Sequence, residues 1–600
     1  MSGRYLKKSD SVTMPQNFLF WDTETEQDEK GNHRLRFIAW TYGPRLKADE
    51  VTEELDVMVS ETTNGFFKSI LNARYLKGPL LVFCHNLGFD SRVINLVESA
   101  RRYGIEIQPE KSWKNQFSTC LFFKMVNKPV IFLDSVNLYG KVRLRQIGER
   151  LDFPKLRTPT ENCSLATWKR YAKQDVRLLA KAVFDYLDCI EKYRCGGFRY
   201  TVAGQAWERL KFRHNNGRNV KGFVWHNHRT VKELEKQAYH GGRCEAFRTG
   251  TFENCTTLDV VSLYGFCMAN FDAPGRLVRY AEAGDRLTVG TLAIALKKWY
   301  AVADVTLEVP KETFVPPYPV RTEKGTLYPT GTFRTQLSTH SLRYALRHGH
   351  LKEVHKAALY EKTTVLRHYS TMLLQDMRNA TKNHRAILKL ILNSITGRFA
   401  RKRIETEPTN YPYDGDVIYD EENSRVGNVA AIGKENFVTW KYDDPHEWSF
   451  HAVAAHITDA GRIWMLRYYQ KHQQDLLYTD TDSLILRACY DWNTKEPGKL
   501  KTETRWNEVQ VFREKYYRGT TVDGELKRVC TGIPKNADVL GEHQYRVETW
   551  DVSLSNLGEL KPPTTKKVVK QVDSQPAKRQ EIGDMFGTKK TYPHHIETKG

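Results

Sequence analysis

Tyr478-Thr479-Asp480-Thr481-Asp482-Ser483 lies between two short apolar runs, Leu476-Leu477 and Leu484-Ile485-Leu486. Apolar flanks around a compact polar centre predict a buried β-hairpin with its carboxylates at the tip. Two aspartates two residues apart on one strand face the same way, so both reach one divalent cation. Unpaired carboxylates in such a place repel each other and cost desolvation energy, which a bound Mg²⁺ removes. A lone Asp-Thr-Asp is more often an acidic surface turn. The rest of the chain decides between the two.

Upstream, Leu258-Asp259-Val260-Val261-Ser262-Leu263-Tyr264-Gly265 reads as a strand that ends at a carboxylate and bends sharply. Residues 384–400 predict a helix with Arg385, Lys389 and Asn393 on one polar face and Ile387, Leu388, Ile391 and Ile395 on the other. Tyr239-His240-Gly241-Gly242 sets two glycines beside aromatic and basic groups, where a backbone can approach phosphates closely. Thr458 and Arg462 share a face of a further helix.

A second carboxylate set occupies the N-terminal third. The apolar Phe18-Leu19-Phe20-Trp21 runs into Asp22-Thr23-Glu24, and the strand 80–84 runs into His85-Asn86-Leu87-Gly88-Phe89-Asp90. Tyr171-Ala172-Lys173-Gln174-Asp175 opens a segment of helical periodicity. Strand-end acids are commonly just solvated, and an Asp early in a helix is commonly there for the dipole.

Taken together and in order, these segments are specific. Asp22, Glu24, Asp90 and Asp175, with Tyr171, resemble the metal-binding acids of the DEDDy-type 3′–5′ exonucleases. Asp259 to Tyr264, Lys389 to Gly397 and Tyr478 to Ser483 resemble the three polymerase motifs of family B DNA polymerases. The Tyr-x-Gly-Gly at 239–242, the Thr-x-x-Gly-Arg at 458–462 and the Lys-x-Tyr at 515–517 narrow the resemblance to the protein-primed branch, which serves phages, adenoviruses and linear plasmids. Its motifs cover about residues 18–535.

The resemblance implies a multidomain α/β and α+β protein, an RNase H-like exonuclease domain followed by a right-hand polymerase domain with two insertions. Residues 1–195 would form the former and 196–600 the latter. Within the second, the palm falls at about 240–310, 366–384 and 451–515, and the fingers at about 384–400. The gaps from Asp259 to Lys389 and from Lys389 to Asp480 exceed simple connections, placing insertions at roughly 310–365 and 400–450. The second gap is expected to be an irregular hairpin, and the thumb and a basic, loosely packed end fill about 516–600. Two Mg²⁺ ions per active site are implied, with Mn²⁺ able to substitute. Asp259, Val260, Asp480 and Asp482 would hold them in the palm; Asp22, Glu24, Asp90 and Asp175 would hold them in the exonuclease. The incoming dNTP would meet Leu263, Tyr264, Arg385, Lys389, Asn393 and Thr396. DNA would meet Asn86, Phe89, Ser135, Lys155, Tyr239, Gly241, Gly242, Thr458, Arg462, Lys515 and Tyr517. The partners are DNA template and primer and a separate terminal protein that supplies the priming hydroxyl. Two positions depart from the family pattern. Gly265 replaces a proline and is expected to loosen the bend, and Thr396 replaces a tyrosine that packs on the nascent base pair.

Composition agrees with a polyanionic partner. The 600 residues carry 92 Lys plus Arg against 71 Asp plus Glu, a net charge of +21, which argues for nucleic acid. No run of 18 apolar residues and no apolar N-terminal h-region occurs, so neither a membrane span nor a secretory signal is expected. The ten cysteines are scattered without a Cys-x-x-Cys pair, against a zinc site and for a reducing compartment. A monomer in the host cell interior, cytoplasm or nucleoid or nucleus, is the expectation. The competing readings are a nucleic-acid-primed family B polymerase, a DNA-binding 3′–5′ exonuclease, and a non-enzymatic basic scaffold that leaves its buried acids without a purpose.

Overall fold

The computed structural model describes residues 4–597 apart from 109–110, 115–118, 126–127, 161, 214–219, 283, 324, 410–416, 421, 423–424, 433–434, 446–447, 536, 552–563, 574–577 and 584–588. The strand Asn17–Gln27 lies inside an eight-stranded sheet. It runs antiparallel to His33–Pro44 and parallel to Leu80–Cys84, which is parallel in turn to Lys128–Asp134. Side chains alternate across a strand, so Phe18 and Phe20 enter one core while Leu19 and Trp21 enter another on the opposite face. The helix Leu165–Lys192 covers the first face, where Phe184 meets Phe18 and Phe20 edge-on at 5.1 and 5.2 Å. It begins before the predicted start because Ser164 caps it, accepting from the Thr167 amide. Tyr171 and Asp175 therefore sit within the helix rather than at its opening.

The hairpin Leu476–Asp480 and Ser483–Leu486 forms as expected, buried from Leu476 to Thr479 and from Leu484 to Leu486. It lies in a nine-stranded sheet between Cys244–Ala246 and Arg248–Val260. The sheet continues through Leu500–Arg513, Tyr516–Thr521 and Leu526–Cys530. Behind it the helix His451–Lys471 is buried continuously from His451 to Arg462. Two further helices, Val365–Arg378 and Lys382–Phe399, pack on one another, and the second also packs on His451–Lys471. The second starts two residues earlier than predicted, capped by Thr381 Oγ1 on the His384 amide at 3.3 Å.

The sheets redraw two expectations. A seven-stranded sheet has the order Arg4–Leu6, Val220–Trp225, Ala273–Glu282, Leu351–Thr363, Tyr300–Val309, Thr330–Ser338 and His595–Glu597. Leu351–Thr363 lies between two strands from before residue 310, so 310–365 is not a separable insertion. The unit begins near 273, and Arg4–Leu6 belongs to it rather than to the eight-stranded sheet. Excising 310–365 would tear out two of its strands. The other insertion is more regular than a loose hairpin, since Lys402–Thr409, Glu435–Pro445, Arg425–Ile432 and Val417–Asp420 form a four-stranded sheet of their own.

The expectation of a loose basic end also fails. After a three-stranded sheet over Asp538–Val539, Gln544–Asp551 and Thr564–Gln571, the chain returns to the nine-stranded sheet. There Lys589–Tyr592 pairs with the start of Arg248–Val260, and His595–Glu597 then joins the edge of the seven-stranded one. Arg579 is 2% exposed. Its guanidinium donates to the Phe314 and Thr591 carbonyls at 2.9 and 3.0 Å and lies 3.5 Å from the buried carboxylate of Glu245, which Arg243 also holds. A buried charge with its hydrogen bonds met fixes this segment in place. Among the described residues no helix is long and apolar enough to cross a membrane.

Candidate active site

Asp259 ends its strand opposite Ser483 of the hairpin. The hairpin tip is a three-residue γ-turn in which the Asp482 amide donates to the Asp480 carbonyl at 2.8 Å and Thr481 takes φ 62°. Such a turn is strained and persists only where its surroundings hold it. Here the Thr481 amide donates to the Arg243 carbonyl at 2.7 Å and the Val260 amide to the Asp482 carbonyl at 2.7 Å. Gly242 presses on the same turn, and a Cβ there would lie 2.6 Å from Thr481 Oγ1. The second glycine of Tyr-His-Gly-Gly is thus needed for the fit against the acidic turn, a contact that the sequence reading had given to phosphates.

The turn separates the two aspartates, which corrects the expectation of one strand with both side chains on one side. Asp480 forms an ion pair with Lys515. Asp482 is the one that feels Asp259: burial first, then the neighbouring Asp259 charge, pushes its carboxyl up to about 6, with Lys389 acting against the shift. Burial also raises Asp259, which Lys501 and Lys389 oppose. Lys389 and Asn393 are exposed one turn apart on their helix.

Tyr264 follows Ser262, which takes φ 49° at the helix N-terminus, and its ring packs on Gly461. Gly265 does not loosen the bend. It is buried in the helix Leu263–Asn270, its carbonyl accepts from Ser370 Oγ at 2.6 Å, and a Cβ would come 2.6 Å from Leu392.

Several assigned residues are occupied internally. Arg462 is buried and donates to the His240 and Gly241 carbonyls at 2.6 and 2.9 Å, and Thr458 Oγ1 is bonded within its helix. Arg462 thus holds the Tyr239–Gly242 segment, and Thr458 accepts from Arg462 at 3.4 Å. Arg385 donates to the Met377 and Arg378 carbonyls, closing the end of the preceding helix. Thr396 and Leu263 are buried, the former without a partner for its hydroxyl. Tyr239 is half-buried against His451. Tyr517 is half-buried against Tyr478, their rings 5.2 Å apart.

In the eight-stranded unit, carboxylate oxygens of Asp22, Glu24 and Asp175 lie within 4.8 Å of one another. Asp90 stands behind them and accepts from the Thr23 amide at 3.3 Å and Thr23 Oγ1 at 2.5 Å. Burial raises all four, Glu24 to about 8, Asp90 to about 7, and Asp22 and Asp175 upward; repulsion from the neighbouring acids adds to it at Asp22 and Glu24, Asp134 adds to it at Asp90, and Lys155 opposes it at Asp175. One oxygen of Asp175 is buried without a hydrogen-bond partner. The other receives Lys155 Nζ at 2.5 Å, which also lies 5.0 Å from the Tyr171 ring centre. Hard oxygen donors, crowded, desolvated and one orphaned, fit a divalent cation. Lys155 is thus part of the cluster. Ser135 is not at the surface; it is 1% exposed and bonded to His85 Nδ1 at 2.8 Å. Asn86 is exposed in a left-handed conformation, and Phe89 meets the His33 ring edge-on at 5.3 Å. The sequence reading missed Asp134, which accepts from the Asn86 and Leu87 amides at 3.0 Å and shapes that turn. Its only signal was an acid at the end of an apolar strand.

These shifts have a stability consequence. The folded chain keeps carboxyl protons that the unfolded chain has lost, so it binds more protons above about pH 4. The associated stability is present below that and lost as pH rises through the folded values near 7 and 8. The first thermal transition in a chelator is therefore expected to fall between pH 5 and 8.5. Mg²⁺ should raise it more at pH 8 than at pH 5, and Asp22→Asn with Glu24→Gln should flatten the profile, as read by scanning calorimetry.

Residues 155–449 match the family described as DNA polymerase type B, organellar and viral. A DNA-directed DNA polymerase of Enterobacteria phage PRD1 is 27% identical over 413 residues, 65% of this chain and 67% of that protein. A probable DNA polymerase of Neurospora intermedia is 26% identical over 318 residues, which is 50% of this chain but only 32% of that protein's length. In fold, the chain is similar to Phi29 DNA polymerase complexed with primer-template DNA and incoming nucleotide, with a TM-score of 0.68 over 93% of this chain and 100% of that one, at 15% identity. The expected architecture, an RNase H-like domain followed by a right-hand domain, is the one observed. The chain's motifs stand in the order of the type B DNA polymerases of the organellar and viral group, which residues 155–449 resemble in sequence, and the chain as a whole is similar in fold to a DNA polymerase of known structure.

Proposed function

We propose that the chain is a template-directed, protein-primed DNA polymerase with 3′–5′ exonuclease proofreading and strand displacement, replicating a viral or linear-plasmid genome. The observation that carries it is Asp259, opposite Ser483 in the sheet register and next to Val260, whose amide donates to the Asp482 carbonyl at the hairpin tip at 2.7 Å; the Lys389 charge acts on both carboxylates. In this reading Asp259, the Val260 carbonyl and Asp482 hold two Mg²⁺ (or Mn²⁺) ions. When bound, these supply activation of the attacking hydroxyl and neutralisation of the transferring phosphoryl group. Lys389 receives the triphosphate as a compact cation and Asn393, one turn on, orients it. Asp480, paired with Lys515, positions the Lys-x-Tyr segment against the primer end. Asp22, Glu24 and Asp175 hold the metals of the exonuclease, with Asp90 keeping Thr23 and the strand end in place. Lys155 steadies Asp175, Tyr171 orients the attacking water, and Asn86 and Phe89 take the single-stranded 3′ end.

Tyr264 lies under the deoxyribose and excludes a 2′-hydroxyl. Tyr264→Val is expected to raise ribonucleotide incorporation at least tenfold, about 1.4 kcal/mol of lost discrimination, while dNTP use persists; unchanged preference would place the steric gate elsewhere. Incubation with primer–template, labelled dNTP and Mg²⁺ tests the polymerase reading directly. The same mixture with a candidate terminal protein in place of primer tests protein priming by formation of a covalent protein–nucleotide adduct. Extension without any adduct would favour the nucleic-acid-primed alternative.

A further inference from the structure

Lys501 is the antiparallel register partner of Asp259, one strand over in the nine-stranded sheet. Its Nζ lies 3.5 Å from Asp259 Oδ2 with the side chain 38% exposed, an ion pair long enough and wet enough to open. The same lysine lines a groove of about 320 Å³ whose wall carries Asp491, Glu503 and Asp523 alongside Arg505 and Lys527; Arg505 already lies 3.6 Å from Asp491, which leaves Glu503 and Asp523 as the acids open to Lys501. A four-carbon stem anchored in the sheet has two places to put its charge, the Asp259 carboxylate or the acids of that groove. We propose that Lys501 is a built-in counter-ion that competes with the divalent cation at Asp259. It occupies the carboxylate in the free protein and withdraws into the groove when a cation arrives with the triphosphate. It is a positioning residue, acting through Asp259 and touching no substrate.

The inference rests on the metal reading of Asp259 and Asp482, and its test separates the two. Mn²⁺ binding is measured by electron paramagnetic resonance on full-length protein carrying Asp22→Ala and Glu24→Ala, so that the other carboxylate cluster is disabled. Having to open a partly exposed ion pair of this kind before the cation enters should weaken cation binding by up to about fivefold. Lys501→Met is therefore expected to lower the Mn²⁺ dissociation constant by about that factor, and Lys501→Arg to leave it within about twofold. The Mg²⁺ concentration for half-maximal extension should fall in parallel, with the rate at saturating Mg²⁺ little changed. Unaltered or weaker Mn²⁺ binding in Lys501→Met would overturn the proposal. Asp482→Ala in the same background separately tests the metal reading: if it leaves Mn²⁺ binding intact, that reading fails and the Lys501 proposal falls with it.

Discussion

Asp482→Ala is expected to reduce DNA extension about a thousandfold, roughly 4 kcal/mol of transition-state stabilisation, while degradation of single-stranded 3′ ends continues at its original rate. The loss is large because Asp482 faces Asp259 across the hairpin tip and no other carboxylate takes its place. Asp480, at the opposite end of the turn, is held by Lys515. Asp480→Ala therefore frees a lysine instead of emptying the Asp259 site, and should cost less than Asp482→Ala. Single-turnover extension and strand degradation, measured on one preparation of each variant, check both statements. Equal loss in the two variants would mean that the Lys515 pair opens when substrate binds. Loss of degradation in Asp482→Ala would contradict the placement of the two sites on different sheets.

The reciprocal change, Asp22→Ala with Glu24→Ala, should lower 3′-end degradation by about the same factor and leave extension intact. Both residues sit on the strand Asn17–Gln27, facing Asp175 on the covering helix. The double variant removes two of the three crowded carboxylates, so the orphaned oxygen of Asp175 loses the company that makes a cation worthwhile. It also relieves repulsion at neutral pH, so the variant should be no less stable than the parent in a chelator. Reduced extension in a protein of unchanged melting temperature would mean that the two halves are coupled.

Much of this was legible in the sequence, because the chemistry is written in short strands. Apolar residues on both sides of Asp480–Asp482, and the alternation of Phe18, Leu19, Phe20 and Trp21, have one sensible burial each. What was not legible depends on long-range contacts. That Thr481 bends the hairpin into a γ-turn depends on Gly242, far away in the chain. That Arg462 and Thr458 serve the protein interior follows from the carbonyls of His240 and Gly241 lying against their helix, which no local pattern announces. Arg579, in a stretch rich in lysine, looked solvent-bound. Only the fold brings it to Glu245 and Phe247.

The seven-stranded sheet has its first edge covered by Arg4–Leu6 and its last by His595–Glu597. An uncovered edge presents unpaired amides and carbonyls to any passing strand. Chains are built from the N-terminus and their domains settle as they emerge, so one edge of this sheet stays bare until residue 597 has left the ribosome. A nascent chain that has not yet added His595–Glu597 would carry intact carboxylate sites together with an adhesive border, and crowding of such chains on a polysome would favour sheet-to-sheet joining between neighbours.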